Sequence, residues 1–376
     1  MPKHGRLSGK RNLPKILIVD DRIEDANAKR LIFDGLAMTR PLTPGDVKET
    51  DLKWAEVVLV DFKLTEWETD AARSIGERPA DGVALAAVFR SHSPWKVPIA
   101  FALHSGQLDQ LSGGLTAARH LNSIARVNNL EWVFSKNDAE NLLPMRDQVV
   151  SLAHAVRRLP EEWPTERPTQ IRSVVDRLLN LKASKWKVQA WQHIDESHPP
   201  IHELSPPTYG ITFIRWLLTS ILPYPTFLWD YRYLAARLRV SPSSLCDALK
   251  NDRGFVKKLA PFRYAGILNE FLGDRWWRPG IENLLWEQTS ARSFDGDALK
   301  KFIKRLSRRL DPVMLVEPVV AFDEKLRAID DLVELSEAVE LQPEDWPSYA
   351  GKPWMLRSLA DSTPRLRSLV APSSQL

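Results

Sequence analysis

Short apolar segments alternate with longer amphipathic segments along residues 14–158, and this alternation restricts the fold more than any other feature of the sequence. The short segments are rich in β-branched or aromatic residues and lie at 16–19, 57–60, 99–103 and 132–134. The longer segments repeat apolar residues every three or four positions and lie at 22–33, 81–90, 115–127 and 139–158. Such a pattern predicts buried parallel strands covered by helices on both faces.

A weaker apolar segment at 37–42 supplies a further strand between the first helix and the strand at 57. The sequence therefore predicts a five-stranded, doubly wound α/β domain over residues 14–158, preceded by a basic tail at 1–13. Several prolines among charged residues mark 159–169 as a linker. Residues 170–376 are expected to form a second, predominantly α-helical domain.

Polar residues follow the predicted strands at the points where those strands end. In a doubly wound sheet the ligand site lies beyond the carboxyl ends of the strands. Carboxylates that meet there repel one another unless a cation lies among them, and oxygen ligands favour Mg²⁺. We therefore expect Mg²⁺ as cofactor and phosphoryl transfer to Asp61 as the chemistry, with Lys136 and Ser105 holding the transferred group. The residues at these strand ends are Asp20, Asp21, Asp61, Ser105 and Lys136.

Four short motifs in this half resemble the receiver domain of bacterial two-component response regulators. They are KILIVDD ending at Asp21, VVLVD ending at Asp61, the Asp81–Gly82 pair that opens a helix, and Ser135–Lys136. The resemblance covers about residues 14–158 and implies a flavodoxin-like fold in which a histidine kinase phosphorylates Asp61.

The resemblance also assigns roles to the residues around Asp61. It implies that Asp20, Asp21 and the backbone carbonyl of Lys63 join Asp61 in binding Mg²⁺. It further implies that Ser105 and Lys136 sense the phosphate and reposition the face formed by the fourth helix, the fifth strand and the fifth helix. That face would meet a partner protein or a second copy of the chain.

Composition limits the cellular setting. The single cysteine, Cys246, excludes an intramolecular disulfide framework and fits a reducing compartment, so we expect a cytoplasmic protein. No apolar stretch reaches the roughly 20 residues that a membrane-spanning helix needs. The first 150 residues carry 20 basic and 20 acidic side chains, whereas the remainder carries 32 and 28, so an anionic partner would bind the second half.

Residues 234–249 resemble a helix-turn-helix inside a basic segment, 231–280, that holds ten basic and four acidic side chains. One interpretation is DNA binding. The other is a structural or protein-binding helix pair, since no Arg, Asn or Gln lies near the start of the second helix to recognise a base. The candidate contacts are Arg237, Arg239, Ser243, Ser244 and Lys250.

A second basic segment, 299–310, has leucine, isoleucine and phenylalanine on one helical face and lysines and arginines on the other. The basic face contacts phosphates or an acidic protein, or it is simply solvated. Its candidate contact residues are Lys300, Lys304 and Arg308.

Three functional hypotheses follow. The first is a response regulator whose helical output domain binds protein, and the second is one whose output domain binds DNA through 234–249. The third is a degenerate receiver that serves unphosphorylated as a docking scaffold, because the loop 62–80 is long and Asn137 replaces the proline that follows the lysine in the family. No hydrolase triad, Walker loop or dinucleotide fingerprint is present, so we expect no enzymatic output.

Overall fold

The computed structural model describes residues 13–64, 79–92, 97–111, 121–137, 143–160, 168–201, 210–292 and 295–374. The first half contains the five predicted strands, all parallel. Their order in the sheet is β2-β1-β3-β4-β5, the flavodoxin-like order. This confirms the predicted α/β fold. The strands are β1 Lys15–Val19, β2 Met38–Leu42, β3 Val57–Asp61, β4 Ala100–Ser105 and β5 Trp132–Ser135.

Helices cover both faces of this sheet, which is why its central strands are almost uniformly apolar. All five residues of β3 are buried. Residues 115–120 and 139–142 of two predicted helices lie outside the described residues, as do 65–78 of the loop 62–80. The helix α2 was not predicted. The helices of this half are α1 Ile23–Ile32, α2 Glu49–Trp54, α3 Gly82–His92, α4 Leu108–Leu111, α5 Leu121–Val127 and α6 Met145–Arg157.

Helices dominate the second half up to residue 306, as predicted. The helix α9 continues into a π-helical turn, Leu217–Ile221, and the following chain turns at Pro223 and Pro225. The helices are α7 Pro168–Leu179, α8 Lys187–Glu196, α9 Ile211–Trp216, α10 Tyr231–Leu238, α11 Pro242–Asn251, α12 Arg253–Leu259, α13 Arg278–Gln288 and α14 Gly296–Leu306.

Two small sheets in the second half were not predicted. Strands β6 Leu228–Trp229 and β7 Trp276–Trp277 pair with each other. A four-stranded sheet of order β10-β11-β8-β9 lies near the C-terminus. Most residues of its strand β9, AIDDLVE, are exposed or half-buried. Because neither face of this strand is consistently buried, its sequence does not alternate apolar and polar residues. The remaining elements are β8 Pro318–Phe322, β9 Ala328–Glu334, β10 Ala338–Glu340, β11 Trp354–Leu356, α15 Arg357–Ala360 and α16 Pro364–Arg367.

One hydrophobic core runs through both halves of the chain. Phe271 of the second half is fully buried, with its ring 5.0 Å from that of Trp132 and 6.5 Å from that of Phe134 on β5. Its carbonyl oxygen accepts a hydrogen bond from Gln148 Nε2 on α6 at 2.9 Å. The second half therefore covers the α5-β5-α6 face, which is the fourth-helix, fifth-strand, fifth-helix face of the sequence analysis.

Buried charge also joins the halves. The Glu131 side chain is completely buried and forms ion pairs with Arg90 of α3 and Arg215 of α9. Among the helices of the described ranges, none is long and apolar enough to span a membrane.

Candidate functional site

The parallel strands bring three of the predicted residues together at one edge of the sheet. Asp20 follows β1, Asp61 ends β3 and Lys136 follows β5. The Lys136 ammonium lies 2.6 Å from Asp61 Oδ1. Lys136 therefore reaches the carboxylate although Asn137, rather than proline, follows it.

The chain packs tightly behind Asp61, and this explains the Asp81–Gly82 pair. A Cβ atom at Gly82 would lie 2.1 Å from the Asp61 carbonyl oxygen, so no larger residue fits there. Asp81 caps the helix α3, because its Oδ1 accepts a hydrogen bond from the Ala84 amide at 2.9 Å. The motif thus places α3 directly against the end of β3.

A lysine that the sequence analysis did not consider lies at the centre of the site. Lys29 Nζ is 2.6 Å from Asp20 Oδ2 and 2.8 Å from Asp61 Oδ1. Its side chain is buried, and Ala26 is the other buried residue of α1. Residues three apart share a helix face, so Lys29 lies on the same buried face of α1 as Ala26. The apolar pattern of the sequence did not mark this face, because Ile23, Leu31 and Ile32 of the same helix are exposed.

The remaining predicted residues occupy different positions around this cluster. Asp21 is half-buried beside Asp20. The Lys63 amide donates to Asp61 Oδ2 at 3.1 Å, so the backbone of Lys63 contacts Asp61 through its N–H group. Ser105 is fully buried, and its hydroxyl oxygen accepts a hydrogen bond from the Gln107 amide at 2.9 Å.

The two ammonium groups control the charge of the site. Burial alone would raise the pKa of Asp61, but Lys29 and Lys136 outweigh burial and lower it below 3.8. Burial would likewise lower the pKa of Lys29, but Asp61 and Asp20 raise it above 10.5. Asp61 is therefore ionised and Lys29 protonated at neutral pH.

His104 is paired in register with Asp61 on the neighbouring strand. Burial, together with Lys29 and Lys136, lowers its pKa to about 3. Its Nδ1 atom is buried without a hydrogen-bond partner in the described part of the chain. His104 is thus neutral at physiological pH.

This arrangement does not fit Mg²⁺. The position between Asp20 and Asp61, where a divalent cation would neutralise both carboxylates, holds the Lys29 ammonium. Across the described residues, no group of three or more His, Cys, Asp or Glu side chains is arranged to hold a metal ion. Magnesium binding would require Lys29 to leave this position.

The second candidate site, the helix-turn-helix, has the predicted local geometry. Ser241 caps α11 by accepting from the Ser244 amide, and Ala235, Leu245 and Ala248 are buried. Arg239 occupies the turn with φ of +52°, in the left-handed region that glycine usually adopts.

Several of the candidate recognition residues already form contacts within the chain. Arg237 forms an ion pair with Glu282 at 2.7 Å. The Ser244 hydroxyl donates to the Ser241 carbonyl and accepts from the Asp311 amide. Arg239 Nη1 lies close to Gly296 at the start of α14. Ser243 and Lys250 are exposed.

The basic face of α14 is exposed, as predicted. Leu299, Phe302, Ile303 and Leu306 are buried on its opposite face. Lys258 of α12 donates to the Arg305 and Leu306 carbonyls, so basic side chains of α12 adjoin this face. The helix ends at Leu306 and not at residue 310 as predicted, so the candidate contacts Lys300 and Lys304 are exposed on α14, and Arg308 is exposed in the turn that follows it.

Comparisons with known proteins give only distant similarities. No family model and no curated protein matches the sequence. A structure of two RcsB dimers bound to two parallel DNAs is 12% identical, with 64% of this chain and 89% of that chain covered, at a TM-score of 0.25. RcsB from Salmonella enterica serovar Typhimurium, bound to promoter rprA with phosphomimetic BeF3⁻, is 11% identical, with 78% and 99% covered and a TM-score of 0.25.

The response regulator ChrA of a heme-sensing two-component system is 14% identical, with 66% and 90% covered and a TM-score of 0.23. TM-scores of this size do not establish a shared overall fold. The flavodoxin-like assignment rests on the strand order of the first half.

Proposed function

We propose that residues 14–158 form a receiver-like signalling domain in which Asp61 accepts a phosphoryl group from a histidine kinase or a small acyl phosphate. The observation that supports this proposal is the Asp61 carboxylate at the end of the central strand, in contact with the ammonium groups of Lys29 and Lys136. These two cations are suited to neutralise the charge of a phosphoryl group bound to Asp61.

The proposed reaction is attack of an Asp61 carboxylate oxygen on phosphorus. A new O–P bond forms, the bond between phosphorus and the donor breaks, and the donor leaves with the electron pair. Lys136 and Lys29 would exchange part of their contact with Asp61 for contact with phosphoryl oxygens. Neutral His104 would supply no positive charge.

The connection from Asp61 to the second half would run through β5. Lys136 follows this strand directly, and Trp132 and Phe134 of the same strand pack on Phe271. A shift of Lys136 toward a phosphoryl group would therefore act on the contact between the halves. A partner protein or a second copy would reach the α5-β5-α6 face after the second half moves away from it. We infer a regulatory rather than an enzymatic role, in the cytoplasm.

Intact-mass measurement after incubation with acetyl phosphate tests this proposal. The wild-type chain is expected to gain one phosphoryl mass, and Asp61→Asn none. Asp25→Asn, which changes an exposed carboxylate, is the matched control and should label like the wild type. Repeating the reaction with Mg²⁺ and with EDTA shows whether a metal is required. Equal labelling of the wild type and Asp61→Asn would contradict the proposal.

A second candidate is a docking domain that functions without phosphorylation. The observation that favours it is that Lys29 and Lys136 already neutralise Asp61, whose side chain is only 4% exposed. This candidate predicts no phosphoryl mass on any variant, with or without Mg²⁺. It also predicts that Asp61→Asn keeps its affinity for the target protein.

DNA is an alternative target of the second half, because the basic side chains of α12 and α14 are exposed and could contact phosphates. Under this alternative, affinity for a duplex falls steeply with salt concentration. Anisotropy measurements over a range of salt concentrations separate DNA binding from salt-insensitive protein binding.

A further inference from the structure

A cavity of about 590 Å³ lies where the helix-turn-helix meets the C-terminal sheet, away from Asp61. Its volume falls within the range of small-molecule sites. The rings of Tyr224 and Phe322 lie 5.0 and 5.4 Å from the ring of Trp346, each nearly perpendicular to it. The aromatic residues of its lining are Tyr224, Tyr231, Tyr233, Trp276, Phe322 and Trp346.

The carboxylates of the lining all have partners within the protein. Asp230 accepts hydrogen bonds from the backbone amides at the start of α10 and pairs with Arg232. Asp274 pairs with Arg263, and Asp345 accepts from the Ser123 hydroxyl. Asp230 and Asp274 thus have cationic partners, whereas the partner of Asp345 is a hydroxyl group.

Two of the cations in the lining form no direct ion pair among the described residues. Arg275 is 9% exposed and donates to the carbonyl oxygens of Leu222, Leu272 and Asp274. Within the described ranges neither Arg275 nor Lys250 forms an ion pair with a carboxylate. By contrast, the other two, Arg232 and Arg327, pair with Asp330 and Asp323. Of the two, Arg275 is buried and Lys250 is exposed. A buried cation without a carboxylate partner is energetically costly, and an anionic ligand would offset that cost at Arg275.

A hydroxyl group in the lining also lacks a partner. The Tyr233 hydroxyl is buried without a hydrogen bond in the described part of the chain. Burial raises its pKa well above 10, so the group keeps its proton and is a hydrogen-bond donor at neutral pH. Buried hydroxyls are normally hydrogen-bonded, so the described part of the chain leaves this donor unsatisfied.

We propose that this cavity binds a small organic anion with a planar aromatic body. The aromatic residues contact the body, and Arg275 and Lys250 contact the acidic group. This site is independent of phosphorylation at Asp61.

The ligand would also contact the joint between the two halves. Tyr224 lines the cavity, and its hydroxyl accepts a hydrogen bond from Asn122 Nδ2 on α5 at 3.0 Å. A bound anion would therefore change the environment of a residue that connects the second half to the first.

Alkylation of Cys246 provides a direct test, because this residue is the single cysteine of the chain and lines the cavity. The rate of its reaction with iodoacetamide is measured by mass spectrometry with 1-naphthoate or with 1-naphthamide, which have the same ring system and differ in charge. Naphthoate is expected to slow alkylation and to bind at least about tenfold more tightly than the amide. Titration calorimetry on the unmodified chain measures both affinities independently.

The variant Lys250→Gln locates the acidic group. It should weaken naphthoate binding and leave naphthamide binding unchanged. Lys257→Gln, which changes an exposed lysine outside the lining, is the control and should bind like the wild type. Absence of binding and of protection with both compounds would overturn the proposal, and equal affinities for acid and amide would overturn the anionic class of ligand.

Discussion

The Lys29 ammonium lies 2.8 Å from Asp61 Oδ1, although 32 residues separate them in the chain. The same ammonium contacts Asp20, so one buried cation bridges two buried carboxylates. Opposite charges at this distance in a buried site compensate one another strongly, and each would be costly alone. Lys29 therefore supplies the charge compensation that carboxylates at this position of the fold require.

Lys29→Met is expected to destabilise the protein by about 3–5 kcal/mol at neutral pH, because the buried carboxylates lose their shared cation. Millimolar Mg²⁺ should then raise the melting temperature of the variant and leave that of the wild type unchanged, as followed by circular dichroism. Lys53→Met, which breaks an exposed pair with Glu49, is the control. Equal stabilisation of the wild type and Lys29→Met by Mg²⁺ would show that Lys29 does not occupy the cation position.

Glu131→Gln is expected to cost about 3–5 kcal/mol, because Arg90 and Arg215 lose their buried counter-charge. The Phe101 amide, which donates to Glu131 Oε2 at 2.6 Å, also loses a charged acceptor. Urea denaturation measures the change. In a double-mutant cycle with Arg215→Met the two effects should be less than additive, and full additivity would contradict a direct interaction.

Phe271→Ala is expected to cost about 3–5 kcal/mol, since its fully buried ring packs on Trp132 and Phe134. Because one core connects the halves, urea unfolding of the wild type and of Phe271→Ala should each show one transition, at the same urea concentration by fluorescence and by circular dichroism. Trp286→Ala, at a residue 57% exposed, should change stability by much less. Two separate transitions in the wild type would indicate independent halves.

The lowered pKa of His104 leads us to expect a loss of stability in mild acid. Its pKa is about 3 in the folded protein and near 6.5 when unfolded, so the unfolded chain binds an extra proton between these values. The free energy of unfolding should fall as pH drops from 6.5 toward 3, with a slope approaching about 1.4 kcal/mol per pH unit. The lowered pKa of Asp61 contributes a further loss only below pH 3.8.

Urea denaturation at several pH values checks this window. His104→Gln should flatten the slope, whereas His92→Gln, at an exposed histidine, should not. An unchanged slope in His104→Gln would show that another group causes the acid sensitivity.

The basic residues of the second half should respond differently to charge reversal. Arg237→Glu places a second carboxylate beside Glu282 and is expected to destabilise the fold by about 1–3 kcal/mol. Lys304→Glu with Arg308→Glu changes exposed residues and should leave the melting temperature nearly unchanged. If DNA is the target, this second variant should also reduce the salt dependence of binding by about two phosphate contacts in anisotropy titrations. An unchanged salt dependence would count against the DNA alternative.

The strands and helices of the first half were predictable because the spacing of apolar residues in each segment reflects which of its faces are buried. Strands covered on both faces need continuous apolar runs, and Ile16–Val19 and Val57–Val60 have them. The strand ends then placed Asp20, Asp61 and Lys136 at one edge of the sheet. The C-terminal sheet was not predicted because β9 has few buried residues. The local pattern of β9 therefore does not distinguish a strand from a loop.

Local sequence thus determined the strands of the sheet and the carboxylates that follow them, because periodicity depends only on neighbours along the chain. The flavodoxin-like fold was implied by the resemblance to receiver domains, and the tertiary structure gave the strand order. The tertiary structure decided which cation meets those carboxylates and which surface the second half covers. A lysine on an amphipathic helix usually lies in solvent, and only the packing of α1 on the sheet turns Lys29 toward Asp61. Likewise, Phe271 reaches Trp132 because the chain folds back over β5, a contact between residues far apart that no local pattern encodes.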